Sequence, residues 1–307
     1  MAATFWLGTL LGELALAVAL GWPVAAAVGG SRIALFAACT GAFLLVQALL
    51  VLIATLLARC AAGAPIRPLY ATTIVMESIA LLRAALRMSV HCGIGGEARG
   101  CTGLRGPGLL SRSAPRVVLI HGIFCNGGIW RPLVKMLHGA GFDRVTVMEL
   151  QPPLADIETH ASTVVARMQA LQRRDGEPRA VIIAHSMGGL VARAALRAGG
   201  PAVIGRILTV GTPHHGTAIA CALPFAPTRQ MCPDSVWLRQ LNVEQEGRLA
   251  VPFTCLYSRD DTLICPPKSA ALAGARLVQI DGLGHLGLTV SPRALALLRD
   301  ELLREQP

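Results

Sequence analysis

Val181-Ile182-Ile183-Ala184-His185-Ser186-Met187-Gly188-Gly189-Leu190-Val191 is an apolar strand that breaks at a serine and resumes as a helix. A serine held between small residues at such a junction is what a sharp strand-turn-helix requires, because side chains two positions away would collide with the turn. Ser186 is therefore the candidate nucleophile. The plainer reading is a helix N-cap hydroxyl, and the residues on either side of the elbow decide between the two.

Serine alone is a weak nucleophile: it needs a base to accept its proton and an acid to hold that base in the right tautomer. Both follow in order. The apolar run Val251 to Tyr257 leads into Ser258-Arg259-Asp260-Asp261-Thr262-Leu263-Ile264-Cys265-Pro266, and Arg276 to Ile280 leads into Asp281-Gly282-Leu283-Gly284-His285-Leu286-Gly287-Leu288. His285 is the expected general base, and one of the adjacent aspartates the expected acid. An oxyanion needs backbone donors, and the run Val117 to Ile120 ends in His121-Gly122-Ile123-Phe124, where one would lie. The N–H groups of Ile123 and Met187 are the candidates. Cys125 lacks an elbow and reads as packing.

Around these blocks the chain alternates strands with helices: strand Val117 to Ile120, helix Arg131 to Gly139, strand Arg144 to Leu150, helix Asp156 to Arg173, strand Arg179 to Ala184, helix Met187 to Arg197 and strand Val203 to Gly211. Strands Val251 to Tyr257 and Arg276 to Ile280 follow, and helix Pro292 to Arg304 closes the chain. Alternation of this kind implies a doubly wound, mostly parallel α/β sheet. Between 212 and 247 no strong period appears, and a lid or substrate-facing segment is expected there.

From about Pro115 to the end the chain resembles α/β-hydrolase-fold serine lipases and esterases of the bacterial triacylglycerol lipase-like kind. The resemblance rests on His121-Gly122-Ile123, on Ala184-His185-Ser186-Met187-Gly188-Gly189, on Gly211-Thr212-Pro213-His214-His215-Gly216-Thr217, on Tyr257-Ser258-x-x-Asp261 with Pro266, and on Gly284-His285-Leu286-Gly287-Leu288. It implies nucleophile Ser186, acid Asp261, base His285 and oxyanion donors Ile123 and Met187, with no metal or organic cofactor. His214 and His215 match a block without a catalytic role and are expected to be structural. Ala184 stands where the commonest pattern has glycine.

The first 114 residues lie outside the resemblance. The chain is 53% hydrophobic with a mean hydropathy of +0.55, and the excess is at the start. Between Met1 and Ala58 the formally charged side chains are Glu13 and Arg32, set in two apolar runs, Phe5 to Val28 and Ile33 to Ala58. Each exceeds the roughly 20 residues a helix needs to cross a bilayer. A transmembrane hairpin over 1–58, turning at Gly29-Gly30-Ser31-Arg32, is predicted; a secretory signal peptide would show a basic n-region and no second span.

The net charge is +10. Residues 59–116 carry Arg59, Arg67, Arg83, Arg87, Arg99, Arg105, Arg112 and Arg116 against Glu77 and Glu97. This basic belt, with Tyr70 its lone aromatic, suits anionic lipid headgroups better than nucleic acid. Within it Tyr70 to Val90 reads as an amphipathic helix with Thr72, Thr73, Glu77, Arg83 and Arg87 on one side, expected to lie in the membrane interface in preference to packing on the globular domain. Residues 91–115 read as a linker. Arginines near the second span place the catalytic domain on the cytoplasmic side of a bacterial inner membrane. The nine cysteines have no metal-site spacing; Cys221 with Cys232, or Cys255 with Cys265, are the pairs an oxidising compartment would allow.

The expectation is thus a membrane-anchored serine hydrolase in three parts, 1–58, 59–114 and 115–307. It would act on carboxylic, acyl or lipid esters, meeting membrane lipids and no nucleic acid. A thioesterase or acyltransferase on the same triad, or a non-catalytic membrane scaffold with this fold, are the alternatives, since fold and triad do not fix substrate. Oligomeric state has no signature in the sequence.

Overall fold

A computed structural model describes residues 2–27, 32–63, 70–89, 115–176 and 179–304. The predicted turn at 29–32, all but the last residue of the linker over 91–115, and Cys92 and Cys101 lie outside them, apart from the backbone of Arg32. Three helices come first: α1 (Ala2–Ala27), α2 (Arg32–Ala61) and α3 (Tyr70–Ser89). The sheet-bearing part follows as β1 (Val117–Ile120), α4 (Arg131–Gly139), β2 (Val145–Met148), α5 (Ile157–Asp175), β3 (Ala180–His185), α6 (Met187–Arg197), β4 (Ile204–Val210), α7 (Ala226–Gln230), α8 (Val236–Gln245), β5 (Phe253–Tyr257), β6 (Arg276–Gln279), α9 (Gly287–Val290) and α10 (Pro292–Leu303).

The six strands form one sheet in the order β2-β1-β3-β4-β5-β6, and every pairing is parallel. Such a sheet must be covered on both faces. Alternate residues of each strand point to opposite sides, so Val118, Ile120, Ile182, Ala184 and Ile207 pack under α5, α6 and α8, while Val117, Leu119, Val181, Ile183 and Leu208 pack under α4 and α10. The order reverses between β1 and β3, the topological switch at which open α/β sheets bind ligands outside the carboxyl ends of their strands.

Two elements differ from expectation. The segment 212–247, read as irregular, contains α7 and α8. Helix α8 escapes a periodicity test because its apolar Val236 and Val243 are 63% and 80% exposed, whereas its buried side is Leu238, Leu241 and the polar Gln245. Gln245 Oε1 accepts from Arg193 Nε at 3.0 Å and its amide donates to the Arg193 carbonyl at 2.9 Å, pinning α8 to α6. The part of the segment around α7 is tied by a Cys221–Cys232 disulfide.

Helix α3 is the second difference. The face carrying Thr73, Glu77, Ala84 and Met88 is buried, and Ala84 and Met88 join the core beside Leu119 and Trp130. Val75, Met76 and Leu86 face outward. Of the polar residues expected to meet water and headgroups, Thr73 and Glu77 are turned into the domain that follows while Thr72 and Arg83 stay exposed, and Asn126 Nδ2 donates to the Met88 carbonyl at 2.9 Å. That bond satisfies one of the orphan carbonyls at the helix end.

Helices α1 and α2 pack on each other. A Cβ on Gly21 would stand 2.7 Å from the Cys39 backbone, and the Gln47 amide donates to Glu13, giving that carboxyl a protein partner. Among the described residues one stretch, Ala38–Ala61, is long and apolar enough to cross a membrane; the apolar stretch within α1 is shorter, Leu11–Val24.

Candidate active site

Ser186 sits between β3 and α6 at φ 55°, ψ −128°. This is a backbone combination that side-chain-bearing residues rarely adopt, at a cost of about 1–3 kcal/mol. The strain is held from both sides: Ser186 N–H donates to the Val210 carbonyl at 3.0 Å, and Gly189 N–H to the Ser186 carbonyl at 3.0 Å. Close approach of α6 to the end of β1 requires glycine at 188, since a Cβ there would lie 2.6 Å from the His121 carbonyl oxygen and 2.7 Å from that of Ile120.

The β1 loop lies against the elbow, where a Cβ on Gly122 would stand 2.9 Å from Ser186 Cβ. His121 holds this loop from a buried position. Its Nε2 accepts from Leu150 N–H at 3.2 Å, so the proton is on Nδ1, which donates to the Gly122 carbonyl at 2.9 Å. Ile123, next in the loop, is partly exposed. Met187 opens α6 and its N–H has no intrahelical acceptor. Phe124 has φ 58° and meets Phe225 edge to face at 5.7 Å, bringing the 212–247 segment over the loop.

His285 and Asp261 form a buried pair. Nδ1 of His285 lies 3.0 Å from Asp261 Oδ2 and 3.1 Å from Oδ1, leaving Nε2 as the free face of the ring. Oδ1 also accepts from Leu263 N–H at 2.9 Å and Ile264 N–H at 2.8 Å. Of the two aspartates, then, it is Asp261 that faces the histidine. Asp260 turns away, with Oδ2 accepting from Gly282 N–H at 2.8 Å. Burial lowers the pKa of His285, but the Asp261 carboxylate and its hydrogen bond, with Glu77 adding to them, outweigh burial and leave it raised. The pair meets the elbow at Gly211, the residue after Val210, where a Cβ would lie 3.1 Å from Asp261 Oδ2 and 3.4 Å from His285 Nδ1.

His185, beside the serine, is held well below the ordinary histidine range, first by burial and then by His285. Its ring centroid lies 4.5 Å from that of His285 with the planes tilted by 43°, and its Nε2–H donates to the His285 carbonyl at 3.3 Å. His214 is likewise buried, paired with the Thr209 hydroxyl at 3.0 Å. Burial pushes the Cys125 thiol up to about 12, which leaves no thiolate at neutral pH. No cluster of three or more metal-ligating side chains occurs among the described residues.

Sequence reasoning missed Arg59 and Glu77, which reach the loops of Asp261 and His285 from α2 and α3. The available signal was faint: Glu77 is one of two acids amid eight arginines, and nothing local says that its partners lie some 200 residues on.

The comparisons with known proteins agree with this architecture. A model of the alpha/beta hydrolase family matches residues 117–264. Among solved structures, the mature form of the lipase BlEst2 from Bacillus licheniformis superposes with a TM-score of 0.58 at 16% identity, over 64% of this chain and 96% of that one. Lipase B from Aspergillus fumigatus gives 0.56 at 19% identity, over 63% of this chain and 54% of that one. At such identities the likeness establishes the fold, and the fold of this chain is that of an α/β hydrolase. A search of the curated proteins finds no match.

Proposed function

We propose that the chain is a membrane-anchored serine hydrolase that cleaves carboxylic esters of acyl or lipid type through an acyl-enzyme. One observation carries the reading: a strained Ser186 at the β3–α6 elbow shares the carboxyl edge of the sheet with a buried His285–Asp261 pair whose Nε2 is free. Nε2 of His285 takes the hydroxyl proton as Ser186 Oγ attacks the ester carbonyl carbon, and the Ile123 and Met187 N–H groups receive the charge that develops on the carbonyl oxygen. Collapse of the intermediate breaks the bond to the alkoxy oxygen, which leaves as alcohol with the proton from His285. Water then repeats the sequence on the acyl-serine, releasing acid and free enzyme. The lipase neighbours support ester hydrolysis over the thioesterase, acyltransferase and scaffold readings.

The test is fluorophosphonate labelling and p-nitrophenyl butyrate hydrolysis by wild type and Ser186→Ala. Both signals should vanish in the variant with its melting temperature preserved, and labelling at an unchanged rate would sink the assignment.

The apolar surfaces of α1 and α2 support membrane anchoring, and two orientations have a specific observation each. The arginine distribution places the catalytic domain in the cytoplasm. The Cys221–Cys232 disulfide favours the opposite, oxidising side, and Arg59 counts less toward the first reading because it is buried in protein. Alkaline phosphatase and fluorescent-protein fusions to the carboxyl terminus separate them: fluorescence without phosphatase activity means cytoplasmic, and the converse means exported.

A further inference from the structure

Helix α3 precedes the hydrolase sheet in the chain, yet one of its side chains closes the loop that carries the base. Glu77 is 4% exposed. Its Oε1 accepts from Leu286 N–H at 2.6 Å and from the Thr262 hydroxyl at 3.2 Å, and its Oε2 accepts from Gly287 N–H at 2.9 Å. Thr262 Oγ1 in turn accepts from His285 N–H at 3.3 Å. Gly284 makes the approach possible, because a Cβ there would stand 2.5 Å from the Glu77 carboxyl. Burial raises the Glu77 pKa above its ordinary value, against which the Leu286 and Gly287 N–H bonds and the nearby His285 pull it down; all three neighbours donate, which is the environment of a carboxylate and not of a carboxylic acid.

The His285 loop lacks rigidity of its own. It leaves β6 through Gly282, at φ 79°, and runs on through Gly284 to the single short turn of α9. Without Glu77, the Leu286 and Gly287 N–H groups would be buried with no acceptor, at about 1–3 kcal/mol each. A base that drifts by 1 Å loses about 10²-fold in rate. The same carboxylate also bears on the ring electrostatically. The ionisable groups around His285 are Asp261 from the loop after β5, Glu77 from α3 and neutral His185 from β3. Farther out are Asp260 on the Gly282 N–H and Arg59 on the Asp261 carbonyl.

We propose that Glu77 is a positioning residue for the base: it fixes residues 284–287 so that His285 meets Ser186, and its carboxylate joins that of Asp261 in stabilising the imidazolium formed during attack. This rests on the reading of His285 as the general base of a serine hydrolase. It makes the helix that follows the membrane anchor a working part of the active site.

The test uses the full-length protein in detergent, with active sites counted by fluorophosphonate titration and rates expressed per titrated site. Glu77→Gln keeps shape but sets an amide NH2 against a backbone donor and removes the charge. Its kcat should fall about 10- to 100-fold with KM little changed, and the acid limb of kcat/KM should move to lower pH, since an imidazolium beside one fewer anion is less favoured. Thr262→Val removes the hydroxyl that accepts from His285 N–H and donates to Glu77, and keeps the Glu77 carboxyl with its two backbone donors, so its loss should be smaller and its acid limb unmoved. Wild-type kcat and pH profile in Glu77→Gln would overturn the proposal. So would equal losses in both variants with neither limb moved, which is what a purely structural role predicts. Should Glu77→Gln yield no folded protein, Thr262→Val decides, and wild-type kcat per site there would overturn the proposal. Ser186→Ala run in parallel keeps the two readings apart: labelling that persists there defeats the hydrolase assignment, whereas its loss beside a normal Glu77→Gln defeats only this inference.

Discussion

Replacing Asp261 by asparagine should silence the enzyme through the histidine's tautomer. Oδ1 is committed to the backbone, accepting from Leu263 and Ile264 N–H at 2.9 and 2.8 Å, while Oδ2 lies 3.0 Å from His285 Nδ1. In asparagine the oxygen must take the Oδ1 position, because an NH2 there would face two buried donors, each mismatch costing about 1–3 kcal/mol. The NH2 is then left at the Oδ2 position and donates to Nδ1. An imidazole that accepts at Nδ1 carries its proton on Nε2, and a protonated Nε2 cannot take the serine proton. The expected loss is about 10⁴ in kcat, or roughly 5.5 kcal/mol at about 1.36 kcal/mol per factor of ten. Asp260→Asn is the internal control. That carboxylate meets Gly282 N–H at 2.8 Å, a contact an amide oxygen reproduces, so its loss should stay below about 10-fold. Turnover of p-nitrophenyl butyrate by the two variants, each with a melting curve to show that it is folded, gives the ranking. An Asp261→Asn enzyme within tenfold of wild type, or a worse Asp260→Asn, would refute the tautomer argument.

The pH dependence follows from the same pair. Because Asp261 and Glu77 outweigh burial and hold the His285 pKa above its ordinary value, about 6.5, the acid limb of kcat/KM should lie on the alkaline side of that value; a limb at or below it would contradict the assignment. Stability should run the opposite way, since a raised histidine contributes stability that is fully present below its unfolded pKa and is lost as pH rises through its folded one. The melting temperature of wild type should therefore exceed that of His285→Gln by more at pH 6 than at pH 8, and an equal gap at both would count against it.

The strand-and-elbow pattern was legible because each apolar run must be buried on both faces in a parallel sheet, and such runs stand out without any knowledge of their partners. Boundaries were trimmed by pairing. The strand read as Arg144 to Leu150 is Val145–Met148, whose four residues align with the four of β1. The strand read from Val251 begins at Phe253, since Pro252 has no N–H to give to a ladder. Helix α8 was not legible because its inward side carries a hydrogen-bonded Gln245 while Val243 faces solvent, so hydrophobicity points the wrong way. Glu77 was placed on the right helix and the right face of it, but an acid on the polar arc of an amphipathic helix reads as solvated unless its distant partners are known.

Arg59 and Glu77 share a feature that changes how the chain divides. Both are buried, and they are held by backbone groups of the loops after β5 and β6: Arg59 donates to the carbonyls of Arg259 at 2.9 Å and Asp261 at 3.4 Å, and Glu77 accepts from Leu286 and Gly287 N–H. A charge removed from water is tolerated only where hydrogen bonds replace the lost hydration, and these replacements exist only when the loops after β5 and β6 have formed. Conversely, those loops leave their own N–H and C=O groups unpaired until α2 and α3 arrive. Breaking one side of a buried charged contact typically costs about 3–5 kcal/mol, a large share of the roughly 5–15 kcal/mol that holds a domain together. Sequence similarity to the hydrolase family begins at residue 117, but the cooperative unit begins earlier, at the end of α2. The loops after β5 and β6 are completed by α2 and α3.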